Sequence, residues 1–418
     1  MGGNGIRRAP AEEVGAMIPR VERLSQVFAW LGHAYMHCLT GIFLTVVLVL
    51  ETEWQRPYGE LIGLWTAGAF LVGVLAPLAG WLGDRWSNAG MMAVFFIGSG
   101  GAIVAAALAD GPAELWPALA ALGAFAAIYH PVGMSWLVRT SANRGFALGV
   151  WGVFGSVGVA SAGIVAGGLA TMAGWRAAFW LPGAVSLATG LLLLAAMAAG
   201  RIDDGARDRV AAPEPARGDV IRAFVVLSLT VFLGGLIYNA TQIALPKAFA
   251  ERAGDLFGGG VMGAGALFTL IYLAASMLQI PAGWIADRYP LRFVYAGAFA
   301  CQVPLAAIAA AMAGLPFVAA TAAMVMANVT AIPAENCLMA RYTPSRWRGS
   351  MFGAKFVLSL GVAPVAVQLV GLLHDATGDF ATLFGVVAAS AAAVAVAALL
   401  LPRERSAPAA APLPQAAE

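Results

Sequence analysis

Charge is what this chain most lacks: Asp, Glu, Lys and Arg make up 11% of its 418 residues, against roughly 25% in an ordinary soluble domain. With 61% hydrophobic residues, it has too few polar groups to cover a surface in water, so most of it must be dissolved in lipid. The near-balance of charge, a formal +2, leaves no basic field to hold nucleic acid. Cysteine is scarce too. Cys38, Cys301 and Cys337 sit in apolar runs without CxxC spacing, which argues against a disulfide framework and a cysteine zinc site. The phosphate-cradling GxxxxGK[ST] loop is missing, as are HExxH and GxSxG. ATP hydrolysis and the common hydrolase chemistries therefore lack their residues, and no enzyme activity or cofactor is expected. The first apolar run follows Arg7, Arg8, Arg20 and Arg23 and has no small-residue cleavage site, so it reads as a retained span.

What is present in quantity is apolar sequence in membrane-length pieces. A crossing needs about 20 apolar residues. On that rule spans are expected over 26–50, 60–82, 90–109, 114–138, 146–172, 175–199, 222–246, 259–285, 292–313, 315–340, 350–373 and 380–401. The fold class expected is an all-α membrane protein of 12 transmembrane helices in two pseudo-symmetric six-helix bundles. The longest hydrophilic stretch, 201–219, carries Asp203, Asp204, Arg207, Asp208, Arg209 and Glu214. It reads as a linker between an N-terminal bundle over 1–200 and a C-terminal bundle over 220–418.

Basic residues set the orientation. Of 24 Lys and Arg, four (Arg56, Arg176, Lys247, Arg252) fall in one set of loops and Lys355 falls within a span. The other 19 lie in the opposite set, with the termini. Both termini are accordingly expected in the cytoplasm, with the chain multi-pass in the inner (plasma) membrane.

The chain also repeats itself. Ala79-Gly80-Trp81-Leu82-Gly83-Asp84-Arg85-Trp86 returns as Ala282-Gly283-Trp284-Ile285-Ala286-Asp287-Arg288-Tyr289, and Arg144-Gly145-Phe146-Ala147-Leu148-Gly149 as Arg348-Gly349-Ser350-Met351-Phe352-Gly353. Two echoes at nearly one offset mean duplicated halves, which in membrane proteins usually enclose a path. Asp84-Arg85 and Asp287-Arg288 follow spans two and eight. A carboxylate there can accept from an arginine and favour a helix N-terminus. Arg144 and Arg348 are the partners expected, giving contacts that latch one global state and so gate the path.

The repeated G-W-[LI]-x-D-R phrase, twelve spans and the six-plus-six division resemble the major facilitator superfamily over nearly the whole chain. His33 with Tyr129-His130-Pro131 loosely resembles its fosmidomycin-resistance-type drug and solute carriers. The resemblance implies secondary transport by alternating access. The family's loop motif usually continues with further basic residues. Trp86-Ser87-Asn88-Ala89-Gly90 lacks them, and Tyr289-Pro290-Leu291-Arg292 keeps one.

Ionisable residues within spans are functional candidates by default. Glu335 lies six residues before Arg341 and Lys355 seven after Arg348, placing the two roughly 9 and 10 Å in from one face at 1.5 Å per residue. They are expected to pair, because a lone charge there would neutralise. His33 and His37 share a helix face at i, i+4, and imidazole titrates near neutrality. Many carriers of the resembled family use an acid in the first span for proton coupling. None occurs here between Gln26 and Leu50, so a coupling proton must use His33, His37, His130 or Glu335.

Substrate contacts are expected from His33, His37, His130, Tyr238, Asn239, Gln242 and Asn336, with aromatic walls from Trp65, Trp136, Trp151, Tyr129 and Tyr272. The polar stretch of span seven answers the histidines of span one. The Gly-rich span five reads as a sliding surface. The function expected is a monomeric secondary carrier of a small organic solute across the inner membrane, coupled to protons and in contact with membrane lipid. The alternatives are a copper or other metal-ion importer using His33, Met36, His37, Cys38, His130 and Met134, although Met36 and Cys38 cannot share the His33/His37 face, or a lipid or drug efflux carrier. A receptor would normally append a soluble domain, and only about 25 and 15 residues flank the first and last apolar runs.

Overall fold

The structure, a computed structural model, describes residues 20–141, 144–204, 217–254, 256–343 and 348–402. These are helical and connected by short turns, with no strand among the described residues. Eleven helices are long and apolar enough to cross a membrane, and one bent pair makes the twelfth. Large apolar side chains such as Phe70, Leu192, Ile280 and Leu372 are more than half exposed around the outside. Only a hydrocarbon solvent tolerates such a belt.

Span 1 is Arg20–Trp54, span 3 Asn88–Ala107, span 5 Arg144–Ala173, span 6 Trp175–Ala198, span 7 Arg217–Arg252, span 9 Leu291–Ala311, span 10 Gly314–Tyr342 and span 12 Ala381–Leu399. Spans 1 and 7 run past the ends that apolarity set for them, 26–50 and 222–246. Their last turns carry Glu51, Lys247 and Glu251, which hydrogen-bond and pair with one another. Helix geometry thus continues after the hydrocarbon stops.

Four spans expected to be single helices are broken. Span 2 consists of Tyr58–Gly63, Thr66–Val74 and Ala76–Arg85, with a 43° bend before the last piece. Span 4 is Pro112–Ala126 and Tyr129–Arg139, span 8 Gly260–Met277 and Gln279–Arg288, and span 11 Arg348–Gly361 and Ala363–Thr377. One cause recurs at a break in each span. Pro77, Pro131, Pro281 and Pro364 stand just after the breaks and have no N–H to donate to the carbonyl four residues back. Apolarity alone is blind to this, because proline is no obstacle to a hydrophobic average.

Within the N-terminal half span 1 packs on span 5 and span 3 on span 6; in the C-terminal half span 9 packs on span 12. The halves meet along spans 5 and 8 and along spans 2 and 11. Both seams are made of glycine. A Cβ on Gly265 would lie 2.2 Å from the Gly163 carbonyl oxygen, and one on Gly73 would lie 2.8 Å from the Gly361 Cα, so the backbones touch directly. Thr269 of span 8 inserts its hydroxyl into the ladder of span 5, donating to the Ala160 carbonyl (2.5 Å) and accepting from the Ile164 amide (3.0 Å).

The start of the hydrophilic 201–219 stretch is docked on the N-terminal half. The Asp204 carboxylate accepts from the Ala89 amide (2.8 Å) and the Ser87 hydroxyl (3.2 Å) at the beginning of span 3, where free amides and the helix dipole favour an anion. Trp136 Nε1 donates to the Asp203 carbonyl at 2.7 Å. Residues 205–216 lie outside the described residues.

Candidate functional site

A cavity of about 2860 Å³ lies between the halves. It extends from mid-depth to the face that bears the two Asp-Arg pairs, and Asp84, Arg139, Asp287, Trp81 and Trp284 line its mouth. Arg85 stacks on Trp81 at 5.2 Å and Arg288 on Trp284 at 3.8 Å, so the repeated phrase has one geometry in both halves. Arg139 donates to the Asp84 carboxylate, a partner that the sequence did not point to. Arg139 closes the last turn of span 4, beside the end of span 2, and so reaches Asp84 within the same half. The side chains of Arg144 and Arg348 lie outside the described residues.

The N-terminal wall of the cavity carries three of the chain's 4 histidines: His33 and His37 on span 1, and His130 on span 4. Pro131 explains the last placement, because the break it makes at 127–128 redirects the helix that carries His130 and Pro131 onto the cavity wall. The ring centroids form a near-equilateral triangle, with His33–His37 at 5.0 Å, His33–His130 at 5.4 Å and His37–His130 at 5.4 Å.

His33 is clamped. It stacks between Trp151 (3.8 Å) and Tyr129 (5.2 Å), and its Nδ1 donates to the Trp151 carbonyl at 2.7 Å. Tyr129 is fixed in turn by the Ala29 carbonyl (2.6 Å) and by Trp151 Nε1 (2.8 Å). Gly155 makes room for the ring, since a Cβ there would lie 2.2 Å from it. His130 stacks on Phe356 of span 11 at 5.0 Å, linking the two halves across the cavity.

The C-terminal wall carries the charges. Lys355 Nζ lies 2.8 Å from Glu335 Oε1 and donates to Asn336 Oδ1 at 2.5 Å. Tyr295 of span 9, fully buried, donates to Glu335 Oε2 at 2.8 Å. The pair is thus formed between spans 10 and 11, with both side chains about a tenth exposed (10% and 12%) on the cavity wall. Tyr295 was not read as a site residue in the sequence, because a tyrosine in an apolar run looks like packing.

Of the span 7 residues, Tyr238 faces the cavity. Asn239 is turned to span 11 of its own half and donates to the Gly235 (2.7 Å) and Ser359 (3.0 Å) carbonyls. Gln242 donates to the Tyr238 hydroxyl at 3.2 Å. Neither lines the cavity. Of the aromatic candidates Trp151 and Tyr272 line it, whereas Trp65 and Trp136 are buried in the packing of the N-terminal half.

At the opposite face the halves are closed by polar contacts that no motif marks. Lys247 of span 7 bridges Glu51 of span 1 (2.5 Å) and Glu251 (3.4 Å), and His374 of span 11 meets Glu251 at 2.8 Å. Asp375 accepts from the Gly59 amide of span 2 at 3.0 Å, and Gln368 donates to Thr66 at 2.6 Å. The signal in sequence was weak: isolated charges flanking spans 1, 7 and 11, which read as loop residues.

The family model of the Major Facilitator Superfamily matches residues 29–267. A similar curated protein is the uncharacterized MFS-type transporter YfnC of Bacillus subtilis (strain 168), 23% identical over 346 residues, covering 79% of this chain and 81% of the relative. The fold is similar to that of a POT family transporter in complex with a thioalcohol-conjugated peptide (TM-score 0.76, 11% identity, 92% of this chain and 98% of that one). It is also similar to a bacterial homologue of the human lysosomal transporter Spinster, solved inward-facing and unoccupied (TM-score 0.66, 13% identity, 91% and 95%).

Proposed function

The chain belongs to the Major Facilitator Superfamily, and on that premise we propose that it carries a small organic solute across the inner membrane by alternating access, driven by protons. The observation that carries this reading is the cavity. It is walled by ionisable side chains from both halves, open at one face and sealed at the other by ion pairs and touching glycines. With the basic loops inside, the open face is cytoplasmic and the state is inward-facing. The bodies that rock are the bundles of 1–200 and 220–418, about the seams of spans 5/8 and 2/11.

Glu335 is the coupling group. Ionised, it holds Lys355 at 2.8 Å with Tyr295 and Asn336 in support. Protonated, it loses the Coulombic attraction and frees the ammonium for an anionic cargo. Proton uptake from one side and release to the other then becomes a change in what Lys355 binds, which is the differential interaction a ligand needs to shift two states.

Purified protein in liposomes with an imposed pH gradient tests this. A panel of small organic anions should yield at least one solute that accumulates against its gradient. Glu335→Gln should abolish accumulation while leaving gradient-free exchange intact. No flux of any solute, or a Gln variant that still concentrates its cargo, contradicts the assignment.

The cavity mouth carries a separate expectation. Asp84→Asn and Arg139→Ala remove the same pair, which lies outside the cargo-binding depth. Each should slow turnover several-fold with cargo affinity nearly unchanged. An affinity loss as large as the rate loss would put Asp84 in the binding site instead.

A further inference from the structure

The three cavity histidines have a feature that proton coupling at Glu335 does not use. We propose that His33, His37 and His130 form a three-nitrogen site for a divalent transition-metal ion, with the remaining coordination position turned to the cavity for a donor atom of the cargo.

Each of the three offers a ring nitrogen within 4.8 Å of the others. With metal–nitrogen bonds of about 2.0–2.1 Å, imidazoles on a tetrahedral ion have ring centres about 5 Å apart. The separations here are 5.0, 5.4 and 5.4 Å. Binding would draw the nitrogens together to about 3.4 Å, by His37 and His130 turning toward the clamped His33 ring.

The surroundings are those of a ligand set. His33 gives its Nδ1 proton to the Trp151 carbonyl, so Nε2 is left as a bare lone pair. An outer partner that fixes tautomer and ring plane is the usual companion of a metal-binding histidine. His130, 6% exposed, has Nδ1 buried with no hydrogen-bond partner. Leaving a buried polar atom unsatisfied is costly. The lone pairs of three imidazoles gathered within 4.8 Å of one another favour a cation between them.

The donor set also selects the metal. Met36 is buried in packing beside Phe28 and Phe96, and Cys38 packs against the core. Neither joins the triangle, and although Met134 lines the cavity, one thioether does not make the sulfur-rich set that copper(I) would take. Nitrogen alone suits zinc, nickel, cobalt or copper(II). Three protein ligands with a fourth position open is the pattern of a site that exchanges its occupant. The inference rests on the carrier reading for the meaning of the open position. The cargo is then either the ion itself or a small carboxylate chelate of it, with Lys355 of the facing wall available to the carboxylate.

Visible absorption of cobalt(II) tests the site on the full chain, purified in detergent with a histidine-free affinity tag. One equivalent of Co2+ should develop tetrahedral d–d bands that Zn2+ abolishes. His37→Ala and His130→Ala should each weaken binding by at least about tenfold while the thermal unfolding profile stays near that of the unmodified chain. Absence of stoichiometric bands, or bands that survive both substitutions, overturns the site. Uptake of radioactive zinc into liposomes, alone or with citrate, then separates free ion from chelate. Binding without flux of any tested solute leaves the site standing and removes the carrier reading.

Discussion

Replacing Lys355 by Met is expected to abolish transport and to destabilise the folded chain by about 3–5 kcal/mol, the cost of breaking one side of a buried ion pair. Both partners are about a tenth exposed, and Glu335 is further committed to Tyr295. An unpaired carboxylate at this depth must either stay ionised in a poor solvent or take up a proton. Adding Glu335→Gln to Lys355→Met should restore most of the lost stability, because a neutral amide still accepts from Tyr295 and no charge is left alone. Stability recovers while transport stays lost, since the proposed coupling group and the proposed cationic anchor are both gone. Reversible unfolding in a denaturing detergent, with flux on the same preparations, gives both numbers. A double variant as unstable as the single one would mean that the pair is not what holds spans 10 and 11 together.

The second large effect is at the sealed face. Gly265→Leu puts a side chain where even a Cβ would lie 2.2 Å from a backbone oxygen of span 5, and neither backbone can yield alone. Thr269 pins the same crossing one turn further on. The strain is relieved by parting spans 5 and 8, which is the motion that the proposed alternating access requires at this face. Overpacking costs about 1–3 kcal/mol, and a bias of that size shifts a two-state equilibrium by about 5- to 150-fold. Spin labels at Gln55 and Thr377, both exposed at the sealed face, report the opening once the native cysteines are replaced by serine. Their distance distribution should move to longer separations, and Gly265→Ala should move it less. An unchanged distribution in a well-folded Leu variant would show that the seam can repack without opening.

Much of the site was legible because charge in a membrane is rare. Glu335 and Lys355 stood out in apolar runs, and counting residues from the two helix ends was enough to bring them to one depth. The pairing of His33 with His37 needed only the helical repeat. The joining of His130 to them could not be read, because it depends on how span 4 leans on span 1 and on the break before Pro131. The sealing ions failed for the opposite reason. Glu51, Lys247, Glu251 and His374 stand at helix ends, where charge is ordinary, and nothing in their local sequence distinguishes a gate from a solvated terminus. The contact of Arg139 with Asp84 was not legible, because a repeat relates equivalent residues of two halves, not the residues each one touches.

Composition and periodicity by themselves determined that this chain lives in lipid, crosses it twelve times, is internally duplicated and brings Glu335 and Lys355 to one depth. Those follow from one-dimensional quantities: apolar run length, the loop bias of arginine, and the cost of burying an ion. Tertiary structure alone decided which face is open, which glycines touch, that Tyr295 and Asn336 complete the ion pair, and that three histidines from two spans converge while Asn239 and Gln242 turn away. These depend on the rotation of each helix about its own axis and on its tilt against its neighbours. In a helix that is apolar on every side, hydropathy has no preferred face, so only packing can choose one.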